Sequence, residues 1–205
     1  LSMNTEIEKT AFGPVPSRRL GRSLGINNIP PKICSYSCVY CQLGRTSRLR
    51  LERSAFYEPG KILRDVEDKV REARRRGEAI DYLTFVPDGE PTLDLRLGAE
   101  IVLLRKLGFK IAVITNSSLL WKTDVREELL MADWVSLKID ALSPHVWRKV
   151  NRPHGSLSLD RILEGNSEFA RVFKGELATE TMLIQGFNDR AEEIEKISAF
   201  VAGLK

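Results

Sequence analysis

Short apolar segments alternate with amphipathic segments along most of this 205-residue chain. Between the apolar segments the spacing predicts helices, and the clearest of them begins at Pro59 and places Ile62, Val66 and Val70 on one face. A less regular polar segment is expected just before a helix at residues 159–173. The apolar segments have the lengths and the residue types of β-strands, and they cover residues 23–29, 80–86, 109–115, 134–140 and 176–184.

Strands that lack a polar face are typical of a parallel sheet covered by helices, so the fold class is α/β. Right-handed crossovers would curl such a sheet into a TIM-like barrel or a partial barrel. In these folds the functional residues lie where strands end, at the carboxyl edge of the sheet. A polar or cysteine-containing loop follows each predicted strand, so we expect these loops to form one rim.

The length and the 42% hydrophobic content predict one domain over residues 1–205. Leu1 and Ser2 precede Met3 and are interpreted as an expression scar before the start methionine. No apolar run is long enough for a membrane span and the start does not resemble a secretory signal, which indicates a cytoplasmic protein. The formal net charge of +4 and several arginine clusters are compatible with an anionic partner such as RNA, although a solvated helix face explains Arg74–Arg76 equally well.

The only cysteines are Cys34, Cys38 and Cys41, in the loop after the first predicted strand. Their spacing would also suit a buried helical stripe. The odd count argues against a disulfide framework, and a zinc site would need a fourth ligand, for which only the distant His145 and His154 are available. Three thiolates can bind three irons of a 4Fe-4S cluster and leave the fourth iron open. We therefore favour an iron-sulfur site.

The C-x3-C-x2-C spacing, with Tyr40 just before Cys41, resembles the signature of the radical S-adenosylmethionine superfamily. The resemblance implies a partial (β/α)6 barrel, from which the sixth strand and a C-terminal extension would be missing here. It also implies a 4Fe-4S cluster on the three cysteines and S-adenosylmethionine bound at the open iron, with Tyr40 among the cofactor contacts. In that superfamily, reductive cleavage of S-adenosylmethionine yields methionine and a 5'-deoxyadenosyl radical that abstracts hydrogen from a substrate.

The superfamily's Gly-Gly-Glu-Pro motif corresponds to Asp88-Gly89-Glu90-Pro91. By resemblance, Gly89 and Glu90 would bind the methionine amine, because backbone carbonyls and a carboxylate accept hydrogen bonds from an ammonium group. Asp88 departs from the usual glycine. An ordinary turn before a helix would explain these residue types as well.

The same resemblance assigns further cofactor contacts to the ends of the third and fourth predicted strands. Thr115, Asn116 and Ser117 would meet the cofactor through hydroxyl and amide groups. Lys138 would pair with the carboxylate of S-adenosylmethionine, and Asp140 would accept from its ribose hydroxyls. Strand-end capping and a surface ion pair are the structural alternatives for these residues.

Within the superfamily, the segments PVPSRRLGRSLGIN, CVYCQLGRT, FVPDGEPTLD and NRPHGSLS look like the group of iron-sulfur oxidoreductases related to wybutosine synthases. This implies a tRNA or nucleotide substrate and a flavodoxin-like or ferredoxin-like electron donor, although no cysteine is left for the second cluster of those enzymes. Asn151, Arg152 and His154 could contact a substrate phosphate or carboxylate, or form a plain loop. Two other functions stay open: an activase that installs a glycyl radical in a partner enzyme, and a zinc-dependent nucleic-acid-binding module without turnover.

Overall fold

The computed structural model describes residues 9–204, so the predicted expression scar and start methionine at residues 1–3 lie outside the described residues. Six strands form the main sheet in the order β1-β2-β5-β6-β7-β8, and β3 pairs with β4 in a separate short sheet. The eight strands are β1 (Ala11–Ser17), β2 (Gly21–Ile26), β3 (Ile33–Cys34), β4 (Arg48–Leu49), β5 (Tyr82–Phe85), β6 (Lys110–Thr115), β7 (Trp134–Lys138) and β8 (Glu176–Glu180).

Six α-helices within residues 9–204 connect or follow these strands, and each buries apolar side chains on one side. In the first of them Ile62, Val66 and Val70 are buried as predicted, and Gly77 follows the helix end with a φ of 67°. The helices are α1 (Pro59–Arg75), α2 (Leu97–Arg105), α3 (Thr123–Leu129), α4 (Pro144–Asn151), α5 (Leu159–Val172) and α6 (Ala191–Ala202). The polar segment before α5 was expected to be less regular, but it contains α4 because Val146, Trp147 and Val150 form a buried stripe.

The parallel pairing of β2, β5, β6, β7 and β8 confirms the predicted partial TIM-like barrel. The sixth strand of the sheet is β1, which runs antiparallel to β2 at the edge. The sequence did not predict this strand, because Pro14 and Pro16 cannot donate ladder hydrogen bonds. An edge strand tolerates such residues, since one of its sides needs no donors.

The parallel strands are shorter than the apolar patterns suggested. The first predicted strand, at residues 23–29, is β2 and ends at Ile26, where the Asn27 amide donates instead to the Thr10 carbonyl at 2.8 Å. The strand predicted at 176–184 ends at Glu180, and Met182 then donates its amide to Asp140. The loops that form the rim begin where these strands end.

The two faces of the sheet differ in character. The outer face carries fully buried apolar side chains that pack against the helices, among them Leu24, Leu83, Ile111 and Val135. The inner face carries several polar residues, and Ser23 and Thr84 share a hydrogen bond of 2.6 Å there. Leu20, Ala112 and Trp134 pack together inside the barrel. None of the helices in residues 9–204 combines the length and the apolar character needed to span a membrane.

Candidate cofactor site

A cavity of about 650 Å³ lies at the carboxyl ends of the parallel strands. Its size falls in the range of roughly 300–1,000 Å³ that is usual for small-molecule sites. All three cysteines line it, as do three of the predicted cofactor contacts, Tyr40, Gly89 and Lys138. The structure therefore brings the cysteine loop, the turn after β5 and the end of β7 together at the predicted edge of the sheet.

No residue from Cys34 to Cys41 is helical, so the alternative of a buried helical stripe is wrong. Two tight turns shape its end, in which the Cys41 amide donates to the Cys38 carbonyl and the Gly44 amide to the Cys41 carbonyl. The thiols are partly exposed and form no disulfide. Burial raises the pKa of Cys34 to about 12 and raises the pKa of Cys38 as well. Binding of a metal to these sulfurs must therefore release protons.

Two amide side chains donate to the cysteine sulfurs. Asn116 Nδ2 lies 3.4 Å from Cys34 Sγ, and Asn151 Nδ2 lies 3.5 Å from Cys38 Sγ. Both distances are normal for hydrogen bonds to sulfur, which are longer than those to oxygen. Hydrogen bonds of this kind orient metal ligands and are part of the environment that tunes iron-sulfur clusters.

The turn at Gly89 packs directly on the start of the cysteine loop. The Lys32 amide donates to the Asp88 carbonyl at 2.7 Å, and the Glu90 amide donates to the Ile33 carbonyl at 3.1 Å. A Cβ at Gly89 would lie 2.1 Å from that Ile33 oxygen, a contact that real Cβ atoms do not make. Glycine is thus required here by the close approach of two backbone segments.

The Glu90 carboxylate points away from solvent and is 1% exposed. Its Oε1 accepts from the Thr92 amide and from the hydroxyls of Thr92 and Thr115, and its Oε2 accepts from the Asn116 amide at 2.7 Å. Burial raises its pKa, while these donors oppose the shift. Glu90 joins the turn after β5 to the end of β6 and does not line the cavity.

Thr115 and Ser117 are also buried behind the cavity wall. The Ser117 amide donates to Thr115 Oγ1, and Ser117 Oγ accepts from the Lys138 amide at 3.0 Å. The half-buried Asn116 directs its side-chain amide to Ser35 and Cys34. Ser117 thus joins the ends of β6 and β7, and Asn116 connects the end of β6 to the cysteine loop.

Tyr40 and Lys138 form part of the wall, whereas Asp140 lies behind it. The Tyr40 hydroxyl donates to Asp140 Oδ2, which also accepts from Asn151 Nδ2 at 2.7 Å. Lys138 Nζ lies 5.0 Å from the centre of the Tyr40 ring and 3.8 Å from Glu180 Oε2. Lys138 is thus a partly exposed cation beside the cysteines, and Asp140 is a buried acceptor that ties loops together.

Apolar residues that no sequence pattern indicates complete the cavity. Phe12 and Val15 of β1 and Met182 after β8 line it. All three are notably exposed for large apolar side chains, at 38%, 43% and 42%. Phe12 and Val15 were missed because β1 itself was missed, and Met182 because it was assigned to a strand.

The donor set fits an iron-sulfur cluster. Three free thiols face one cavity, with the ammonium group of Lys138 nearby to compensate negative charge. Within residues 9–204 no three His, Cys, Asp or Glu side chains are grouped to hold a single metal ion. A cubane cluster does not require such a group, because each thiolate binds a different iron.

The family model of the Radical SAM superfamily matches residues 28–201. A UPF0026 protein of Methanocaldococcus jannaschii is 53% identical to the chain over 194 residues, which are 95% of the chain and 60% of that protein. The chain thus spans less than two thirds of the length of this relative.

Solved structures with the same fold include TYW1 with a lysine-pyruvate adduct bound, with a TM-score of 0.68 and 20% identity over 89% of this chain and 61% of that one. SuiB of Streptococcus suis bound to S-adenosylmethionine has a TM-score of 0.61 and 18% identity, covering 86% of this chain and 37% of SuiB. Identities this low show a shared fold.

Proposed function

This chain belongs to the Radical SAM superfamily, and we propose that it binds a 4Fe-4S cluster through Cys34, Cys38 and Cys41 and cleaves S-adenosylmethionine reductively. The superfamily uses this cluster and this cofactor, and its enzymes need a reductant, for which a flavodoxin-like or ferredoxin-like protein is the expected donor. When bound, the pair supplies a 5'-deoxyadenosyl radical for hydrogen abstraction. The observation that carries the proposal is the single cavity lined by all three thiols, the Gly89 turn and Lys138.

Three parts of the cavity wall are proposed to hold S-adenosylmethionine directly. Carbonyl groups of the Asp88–Gly89 turn accept from its ammonium group, because this turn lines the cavity beside the cysteine loop. Lys138 pairs with the carboxylate of the ligand, since its side chain is 22% exposed and its partner Glu180 is 3.8 Å away. Tyr40 positions the ligand from the loop itself.

The remaining predicted contacts are proposed to position the wall residues without contacting the ligand themselves. The oxygens of Glu90 and Asp140 already accept hydrogen bonds from protein donors. Thr115, Asn116 and Ser117 support the same loops. In this proposal they fix the position of the wall, and a direct contact of Glu90 or Asp140 with the ligand requires one of those donors to move.

An anionic substrate such as a nucleotide or tRNA is proposed from the charges at the mouth of the cavity. Lys32 lines the cavity and is exposed, and the exposed Arg45 lies between the lining residues Gly44 and Thr46. Arg18 is exposed and follows the lining residue Ser17. Cations arranged in this way attract phosphates, and binding of RNA would weaken steeply with salt.

The test is anaerobic reconstitution with iron and sulfide, followed by dithionite and S-adenosylmethionine. We expect about four irons per chain and formation of 5'-deoxyadenosine without added substrate. The variant Cys38→Ala should lose the product. The variant Ser47→Ala, at an exposed position of the same loop, should keep it.

Other outcomes separate the competing functions. One zinc per chain without labile sulfide would contradict the enzyme proposal and favour the zinc-dependent module. A stoichiometric complex with a partner protein, together with no salt-dependent tRNA binding, would favour the activase over the nucleotide substrate. Four irons without 5'-deoxyadenosine under any reductant would leave only the fold in common with the superfamily.

A further inference from the structure

The segment Asn151–His154 has no part in the proposed cofactor contacts, yet it lies against the cysteine loop. Its backbone pairs with residues 35–39 in an antiparallel manner. The Val39 amide donates to the Val150 carbonyl at 2.9 Å, the Ser37 amide to the Asn151 carbonyl at 3.0 Å, and the His154 amide to the Ser35 carbonyl at 2.9 Å. The end of α4 therefore holds the stretch of chain that carries Cys34 and Cys38.

Local conformation makes this pairing possible. Arg152 ends α4 in the left-handed region, with a φ of 44°, so the chain turns back along the cysteine loop. Pro153 follows and is bridged to Tyr36. The Tyr36 ring meets Trp147 of α4 edge to face at 6.0 Å, and the Trp147 indole donates to the Tyr36 hydroxyl at 3.2 Å. The contact is thus fixed by packing as well as by backbone hydrogen bonds.

The side chain of Asn151 is the polar centre of this contact. Its Nδ2 lies 3.5 Å from Cys38 Sγ and 2.7 Å from Asp140 Oδ2, and the residue is 2% exposed. A carboxamide nitrogen carries two hydrogens, so one can be donated to the sulfur and the other to the carboxylate. Both acceptors are negative once Cys38 binds a metal, and the amide lies between them.

We propose that Asn151 is a positioning residue that raises the reduction potential of the iron-sulfur group bound by Cys38, through the N–H···S hydrogen bond from its side chain. The inference rests on the proposed function, because it needs Cys38 to be a cluster ligand. A hydrogen bond to a cysteine sulfur stabilises the more negative, reduced state of a cluster more than the oxidised state. Asp140 orients the amide by accepting its other hydrogen.

The test compares Asn151→Leu with wild-type protein after reconstitution, by redox titration followed by electron paramagnetic resonance. Leucine has a similar volume but no donor. We expect the equilibrium constant for one-electron reduction of the cluster to fall about tenfold, which is a potential about 59 mV lower. Asn166→Leu is the matched control, since Asn166 is 1% exposed on α5 and, within residues 9–204, forms no hydrogen bond to a cysteine. Its potential should equal that of the wild type.

The outcomes distinguish the two proposals. A wild-type protein without a cluster overturns the proposed function and this inference with it. A wild-type cluster whose reduction equilibrium changes less than about twofold in Asn151→Leu overturns this inference alone. Should the leucine variant not fold, Asn151→Ala and its control Asn166→Ala replace the pair. The same fall is expected, and an unchanged potential in Asn151→Ala overturns the inference.

Discussion

The variant Gly89→Ala tests whether the turn after β5 determines the position of the cysteine loop. A Cβ on Gly89 would lie 2.1 Å from the Ile33 carbonyl oxygen and 2.7 Å from Ile29 Cδ1. The oxygen belongs to the backbone, so the contact cannot be relieved by rotating a side chain. The turn and β3 must separate, and Ile33 is the residue before Cys34.

The cost can be worked out from the contacts that this separation breaks. Two backbone hydrogen bonds join the segments, from Lys32 to Asp88 and from Glu90 to Ile33, and each contributes about 0.5–1.5 kcal/mol. Overpacking of the added methyl group against Ile33 and Ile29 adds about 1–3 kcal/mol. We expect the free energy of unfolding to fall by about 3 kcal/mol, which lowers Tm by about 6–12 °C for a chain of this size.

Thermal and urea unfolding of the metal-free protein measure this change, and iron uptake after reconstitution should decrease as well. Gly155→Ala is the control, because nothing lies within 4 Å of its added Cβ and its backbone has no left-handed φ. That variant should be neutral or slightly stabilised. Equal unfolding free energies for both variants, within about 0.5 kcal/mol, would refute the claim that close approach at Gly89 fixes the loop.

Two buried glutamates, Glu90 and Glu100, give further predictions, with the exposed Glu164→Gln as their common control. Glu90→Gln should lower the free energy of unfolding by about 2–4 kcal/mol in urea titrations, because an amide group would place a donor against the donors that the carboxylate now accepts; a change no larger than that of the control would contradict this role. Burial and the charge of Asp94 raise the pKa of Glu100 to about 9. Its protonated form therefore stabilises the fold below the unfolded pKa near 4.5, and this contribution is lost as pH rises towards 9. Glu100→Gln should accordingly reduce the loss of stability between pH 6 and pH 9 by about 4 kcal/mol, and urea midpoints that fall equally in variant and wild type would contradict the assignment.

The sequence predicted the barrel and the rim because both follow from periodicity. Apolar runs separated by helices require a parallel sheet, and the ends of parallel strands meet at one edge. Periodicity alone therefore predicts that Cys34, Gly89 and Lys138 lie at the same edge of the sheet. It could not find β1, because Pro14 and Pro16 are acceptable only in an edge strand, and the edge is a property of the assembled sheet.

Periodicity does not predict the direction in which each polar side chain points. Position on the rim does not say whether a carboxylate faces the cavity or a neighbouring loop. Glu90 and Asp140 face neighbouring loops because Thr115, Asn116, Tyr40 and Asn151 supply donors there. Asn151 is 113 residues from Cys38 in sequence, and no spacing within one chain reveals a partner at that distance.

The contrast between the two faces of the sheet has a consequence for how such a protein can diversify. Alternate residues of a strand face either the helices or the inner side of the sheet, where the cavity lies, as Leu83 and Thr84 do on β5. Substitutions on the cavity side can change which molecules fit without disturbing the packing that keeps the chain folded. Engineering of a new specificity would best begin at Phe12, Val15, Ile114 and Met182, which line the cavity and belong to neither the cysteine loop nor the Gly89 turn.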